Sequence, residues 1–128
     1  MSYYFARTLD IGFDEAIARA TEALKAQGFG VLTEIDVSQT LKTKIGVDFR
    51  PYRILGACNP KLAHEALSAE DKIGLMLPCN VIVQDAGPGK TEVAAIDPVA
   101  SMMAVENPRL REAASHVRDL LSKAIAAL

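Results

Sequence analysis

The sequence of 128 residues has no tryptophan, few aromatic residues, two cysteines and no long apolar run. Because no stretch of about 18 consecutive apolar residues occurs, we expect no membrane-spanning helix and no membrane partner. The 14 basic and 16 acidic side chains give a formal net charge of −2. This balance lacks the basic excess that is typical of nucleic-acid-binding proteins, so we expect no nucleic-acid partner.

Targeting signals and common catalytic motifs are also missing. The first ten residues have neither the basic nor the apolar region of a secretory signal. Two cysteines without a targeting segment predict a cytoplasmic protein, because structural disulfides are rare in that reducing compartment. No dinucleotide-binding, phosphate-loop, serine-hydrolase or zinc-protease motif occurs, and residues 87–90 indicate a hairpin turn. The sequence therefore leaves open whether the protein is an enzyme and names no cofactor.

The sequence does contain enough apolar residues for a substantial core. They make up 50% of the chain, and together with the low net charge they exclude a disordered protein. The length fits a single domain over residues 1–128. A chain of this size buries about two-thirds of its unfolded surface, so it needs neither a metal nor a disulfide to fold.

Capping and periodicity signals predict nine helices and strands. Asn59-Pro60 and Asn107-Pro108 each predict a helix start, since asparagine is a good N-cap and proline suits the first helical position. Asp36 also predicts a cap, whereas Asp97-Pro98 predicts a turn. The predicted strands are 3–9, 29–35, 52–58, 80–85 and 91–97; the predicted helices are 13–27 and those that follow Asp36, Asn59 and Asn107.

The order β-α-β-α-β-α-β-β-α favours an α+β fold, with a largely antiparallel or mixed sheet and with the helices on one face. The strands are short and half-polar, unlike the continuous apolar strands of a parallel core. The second face of the sheet is then either solvated or covered by another subunit. Because the last helix is rich in alanine and permits close packing between chains, we expect a homodimer.

Two thiols are the main candidates for chemistry. Cys58 ends a strand just before a helix N-terminus, where unpaired amides and the helix dipole favour a thiolate. Cys79 opens the next strand, and one connecting helix can bring it beside Cys58. Two such thiols can bind a soft metal, form a redox disulfide or supply a nucleophile. The alternative is that each thiol is a small apolar core residue, as free cysteines often are.

Basic residues concentrate between Lys42 and Lys61, with Asp48 as the only acidic residue in that segment. Such a patch near a helix N-terminus can hold a small anionic ligand, although basic patches are usually solvated faces. We therefore predict a ligand site with metal ligands Cys58 and Cys79. The complete set of predicted ligand-binding residues is Cys58, Cys79, Asn59, Arg50 and Arg53.

Four segments of the chain resemble a known family. They are residues 40–49, 52–60, 74–81 and 96–98, which contain the sequences IGVDF, ILGACNP, GLMLPCNV and IDP. In this order they resemble the bacterial and archaeal family called domain of unknown function 302. The resemblance implies a compact α+β domain that forms a homodimer, and it implies no established activity. Both cysteines stand at motif positions of that family.

Three functions follow as hypotheses. The first is a small-ligand or metal-binding module that uses the two thiols. The second is a non-catalytic homodimeric interaction protein, in which the same sequence blocks fix turns, caps and a dimer interface. The third is a thiol-dependent enzyme with Cys58 as its nucleophile or redox group.

Overall fold

A computed structural model describes residues 2–128 as one five-stranded sheet with five α-helices and one 3₁₀ helix. The strands are β1 (Tyr4–Leu9), β2 (Gly30–Asp36), β3 (Tyr52–Cys58), β4 (Cys79–Asp85) and β5 (Thr91–Ile96). The helices are α1 (Phe13–Ala26), α2 (Val37–Ile45), α3 (Pro60–Ala69), the 3₁₀ helix (Asp71–Met76), α4 (Pro98–Ser101) and α5 (Pro108–Ala126).

The sheet has the strand order β1-β5-β4-β3-β2, and each neighbouring pair is antiparallel. Strand β4 is therefore central, and β1 and β2 are the edges. Helices α1 and α5 pack against each other and against the same side of the sheet. The predicted α+β fold, element order and helix-covered face are confirmed, and the sheet is antiparallel rather than mixed.

Side-chain caps fix the starts of the longer helices after β2, β3 and α4. The carboxylate of Asp36 accepts a hydrogen bond from the backbone N–H of Gln39 at 3.0 Å. Oδ1 of Asn59 accepts from Leu62 at 3.2 Å, and Oδ1 of Asn107 accepts from Arg109 at 3.1 Å. Each cap satisfies an amide that has no partner within its helix, as the sequence predicts.

Two short helices are absent from the sequence-based prediction. One is the 3₁₀ helix, which joins α3 to β4. The other is α4, which begins where the sequence predicts only a turn, because Asp97 accepts a hydrogen bond from the N–H of Val99 at 3.0 Å. A helix of four residues spans about one turn and has no visible apolar period. The cap of Asp97 and the proline at the first helical position, Pro98, were therefore the available signals.

The core lies between the sheet and the helix pair. Val81, Val83 and Val93 have no exposed surface, and they point at α1 and α5. The two helices contribute small or branched side chains, which let them approach closely. These are Ala16, Ala20 and Leu24 from α1, and Leu121, Ala124 and Ile125 from α5.

On the other face of the sheet, here called the open face, residues 2–128 form no helix equivalent to α1 or α5. Strand register aligns one residue of every strand into a single row across this face. All five residues of this apolar row are aliphatic: Ala6, Ala94, Ile82, Ile54 and Ile35. The row runs from one edge of the sheet to the other and becomes more exposed at its ends.

Within residues 2–128, no helix is both long enough and apolar enough to cross a lipid bilayer.

Candidate functional site

The structure places the two thiols on neighbouring strands. Cys58 is the last residue of β3 and is partly buried, whereas Cys79 is the first residue of β4 and is 8% exposed. Ala57 pairs directly with Cys79, so the two cysteines are offset by one residue in the register. Both are free thiols, and both line the same cavity between the sheet, α3 and α5.

This thiol cavity is small and mostly apolar. Its volume is about 40 Å³, which leaves room for a water molecule or an ion but not for an organic ligand of ordinary size. Its remaining walls are mainly aliphatic and include Leu62, Ala66, Leu110 and Val117. Asn59 also lines the cavity, and its side-chain oxygen is already used as the cap of α3.

Burial changes the acidity of one of these thiols. Removal from water, with a smaller contribution from the nearby Cys58, raises the pKa of Cys79 from 9.0 to about 11. Cys79 is therefore a neutral thiol near pH 7. It becomes a thiolate at that pH only if a metal ion displaces its proton, because the metal must compensate the cost of a buried charge.

Arg53 lies far from the thiols. It belongs to the opposite end of β3, and five residues of extended strand put its backbone about 16 Å from that of Cys58. Its guanidinium donates to Glu34 at 2.6 Å and to Asp36 at 3.5 Å. The predicted group of five ligand residues is thus divided, because a strand carries sequence neighbours away from each other.

Arg50 also lies away from the thiols, on the open face. Its Nε donates a hydrogen bond to Oε1 of Gln84 at 3.0 Å, and its guanidinium carbon lies 4.4 Å from the ring centre of Phe49. The predicted anion site therefore does not include both arginines and the thiols in one place. Cys58, Cys79 and Asn59 stay together, and each arginine has separate surroundings.

A metal site at the thiols would have two protein ligands. Among residues 2–128, no group of three or more His, Cys, Asp or Glu side chains is arranged to hold a metal ion. Such a site suits a soft ion that accepts few ligands, because thiolates favour ions such as Cu(I).

A second concave site, on the open face, was not predicted from the sequence. This open-face groove has a volume of about 420 Å³, within the range of small-molecule sites. Its lining includes aromatic, aliphatic and charged residues: Tyr3, Tyr4, Arg50, Tyr52, Asn80, Ile82, Gln84, Glu92, Ala94, Ala95 and Ile96. The hairpin between β4 and β5 offered one signal, since it sets Gln84 opposite Glu92.

The fold and these two sites define a class of protein. It is a single-sheet α+β domain with helices α1 and α5 packed on one face of the sheet. A family model described as "Domain of unknown function DUF302" matches residues 5–128, so this chain belongs to that family.

A solved structure has the same architecture. The crystal structure of uncharacterized conserved protein DUF302 from Bacillus stearothermophilus is 30% identical in sequence and superposes with a TM-score of 0.90. The match covers 99% of this chain and 98% of the other. A search of the curated proteins found no match.

Proposed function

We propose that this protein is a homodimeric binding module, in which two copies pack through the open faces of their sheets. The observation that carries the proposal is the apolar row across all five strands. At its centre, Ile82 lies between Ile54 and Ala94. At its β2 end, Ile35 is 48% exposed in the single chain. Covering such a row removes aliphatic surface from water, which is favourable.

Further exposed apolar residues lie on and after helix α2, which contacts β2 and β3. None of its residues is buried, so the helix has no complete packing partner within the chain. Ile45 at its end is 66% exposed, and Val47 and Phe49 in the following segment are 44% and 37% exposed. Contiguous exposed apolar residues of this kind mark interaction surfaces.

The flat area of the open face alone is smaller than a standard specific interface. Four strand spacings and six residues per strand give a projected area of roughly 400 Å². This is about half of the 800 Å² or so that each partner buries in a standard interface. Side-chain relief and the residues that follow α2 add to the projected area.

The charges on the open face are self-complementary. Arg50 lies on the β3 side of β4, and Glu92 lies on the β5 side at the same level. A two-fold axis parallel to β4 would place the β3 side of one copy over the β5 side of its partner. Each arginine would then face a glutamate, which favours this pairing over random association.

Replacing Ile54 by lysine tests the dimer. Ile54 is next to the central residue of the apolar row and does not line the groove, so a buried ammonium there should raise the dimer dissociation constant by about 30-fold or more. Light scattering coupled to size exclusion measures the mass. Leu75→Lys is the matched control, since Leu75 is 85% exposed on the 3₁₀ helix. A wild-type monomer at micromolar concentration would contradict the proposal.

A second candidate function is the binding of a soft metal ion by Cys58 and Cys79. Their position in one cavity of about 40 Å³ favours an ion over an organic ligand. Two thiolates supply the soft ligands that Cu(I) prefers. Binding would release the proton that Cys79 otherwise retains at neutral pH, so affinity should increase with pH.

Titration with Cu(I) under anaerobic conditions, against a chromophoric chelator, tests this candidate. We expect one ion per chain, and a loss of affinity of at least 100-fold in Cys58→Ser and in Cys79→Ser. Met103→Ala is the control, since Met103 is 76% exposed and outside the cavity. Equal affinity in the wild type and both serine variants would rule out a two-thiol site.

A further inference from the structure

The open-face groove contains two opposite charges that are joined by one amide. Nε of Arg50 donates to Oε1 of Gln84 at 3.0 Å, and Nε2 of Gln84 donates to Oε1 of Glu92 at 2.9 Å. The side chain of Gln84 thus uses both its acceptor and its donor to hold the charged groups apart. These three side chains therefore form a hydrogen-bonded chain with a cation at one end and an anion at the other.

The charged groups retain unused hydrogen-bonding capacity. Within the described chain, the terminal nitrogens Nη1 and Nη2 of Arg50 have no hydrogen-bond or ion-pair partner, and neither does Oε2 of Glu92. The guanidinium of Arg50 is also held over the rings of Phe49 and Tyr52, at 4.4 and 5.7 Å. Preorganised donors of this kind bind a carboxylate with little loss of entropy.

The rest of the groove is apolar or aromatic. Ile82 and Ala94 form part of its floor, and Tyr4 and Tyr52 are among its aromatic walls. A ligand that only matched the charges would leave this surface exposed to water. A ligand with an aliphatic or aromatic side chain would cover it.

We infer that the open-face groove binds a small zwitterion of the α-amino-acid type, with its carboxylate on Arg50 and its ammonium on Glu92. The two hydrogen bonds and the width of the Gln84 amide limit the separation of the charged atoms to about 8 Å. An α-amino acid has its charges about 3 Å apart, and one hydrogen bond of about 2.9 Å at each end spans a similar distance.

A ligand of one charge is less well matched. The groove contains one cation and one anion, so a simple carboxylate would gain from Arg50 and lose to Glu92. A simple amine would meet the opposite problem. Only a molecule with both charges satisfies both groups, and its side chain then adds apolar contact with the floor.

This inference goes beyond the proposed dimer and does not depend on it. All groove residues come from one chain. In the proposed dimer, Arg50 of one copy would face Glu92 of its partner, so a ligand in the groove and a second copy on the open face would compete for the same two side chains.

Isothermal titration with four probes tests the inference. We expect L-leucine and L-phenylalanine to bind, and we expect L-leucinamide and N-acetyl-L-leucine to bind at least tenfold more weakly than L-leucine. The amide lacks the carboxylate, and the acetylated compound lacks the ammonium. The inference is wrong if neither amino acid binds with a dissociation constant below about 10 mM. It is also wrong if the three leucine compounds have equal dissociation constants.

Variants identify the site. Arg50→Gln and Glu92→Gln should each weaken L-leucine binding at least tenfold, because each leaves one charge of the ligand without a partner. The matched controls are Arg19→Gln and Glu15→Gln, which remove a surface ion pair of α1 at 3.3 Å. Controls and wild type should bind alike, and unchanged binding in the two groove variants would overturn the assignment.

The dimer and the ligand site can fail separately. Light scattering in the titration buffer reports the oligomeric state of each sample. A monomeric protein that binds L-leucine would overturn the dimer and support the ligand site. A dimer that binds neither amino acid would overturn the ligand site alone.

Discussion

Replacing Gly56 by alanine is expected to lower the free energy of unfolding by about 3 kcal/mol. Gly56 lies in β3, paired with Thr33 on β2 and with Asn80 on β4. A Cβ atom at this position would lie 2.7 Å from Cγ of Pro78 and would collide with Oγ1 of Thr33. Real Cβ atoms do not approach other heavy atoms so closely, so Thr33 and Pro78 would have to move.

The expected loss of stability comes from two clashes, one with an adjustable side chain and one with a rigid ring. Thr33 can be shortened, whereas the ring of Pro78 is fixed to the backbone. The double variant Thr33→Ala/Gly56→Ala should therefore recover part of the stability, and the recovery measures the coupling between the two sites. Urea denaturation of the wild type, both single variants and the double variant provides the cycle.

Gly30→Ala is the control for the same change in a neighbouring strand. An added Cβ at Gly30 would meet no heavy atom within 4 Å. We expect its stability to equal or slightly exceed that of the wild type, because alanine restricts the unfolded chain. If Gly56→Ala were as stable as Gly30→Ala, the result would contradict the close packing of β2, β3 and Pro78 around Gly56.

Local signals in the sequence predicted most of the fold. The asparagine-proline pairs before α3 and α5 combine a side-chain cap with a residue that does not need its missing N–H, so their meaning depends on few neighbours. The turn residues 87–90, between two predicted strands, predicted a hairpin that the structure contains. Such signals act within a few residues and are visible without tertiary structure.

The structure separates the predicted ligand residues for a physical reason. Arg50, Arg53 and Cys58 are close in sequence, but β3 is extended and carries its ends about 20 Å apart. Cys79 is 21 positions after Cys58 in the sequence. It nevertheless lies beside β3, because α3 and the 3₁₀ helix return the chain. The proximity of Cys58 and Cys79 therefore depends on the path of the chain between β3 and β4, which the amino-acid composition does not reveal.

The open-face groove shows the same limit. Gln84 and Glu92 become neighbours through the hairpin register, which the sequence makes accessible. Arg50 joins them from the segment before β3, and this requires β3 to lie beside β4 in the observed register. A single sequence gives no direct signal for that non-local pairing.

Cys79 should make the protein less stable at alkaline pH by up to about 3 kcal/mol. Burial raises the pKa of its thiol from 9.0 to about 11, so the folded state favours the protonated form. Below about pH 9 the thiol is protonated in both states. Between about pH 9 and pH 11 the unfolded chain ionises first, and the free energy of unfolding falls by about 1.4 kcal/mol per unit of pKa difference.

Urea denaturation from about pH 8 to about pH 11, in wild type and Cys79→Ala, isolates this contribution, because other titrating groups are common to both proteins. As pH rises, the free energy of unfolding of the wild type should fall relative to that of Cys79→Ala. The thiol of Cys58 is only partly buried. We therefore expect the Cys58→Ala variant to retain most of the pH dependence of the free energy of unfolding that the wild type shows. A constant difference across this range would mean that Cys79 ionises as freely in the folded protein as in the unfolded chain. Water would then reach the thiol cavity, and a metal ion would have no buried proton to displace.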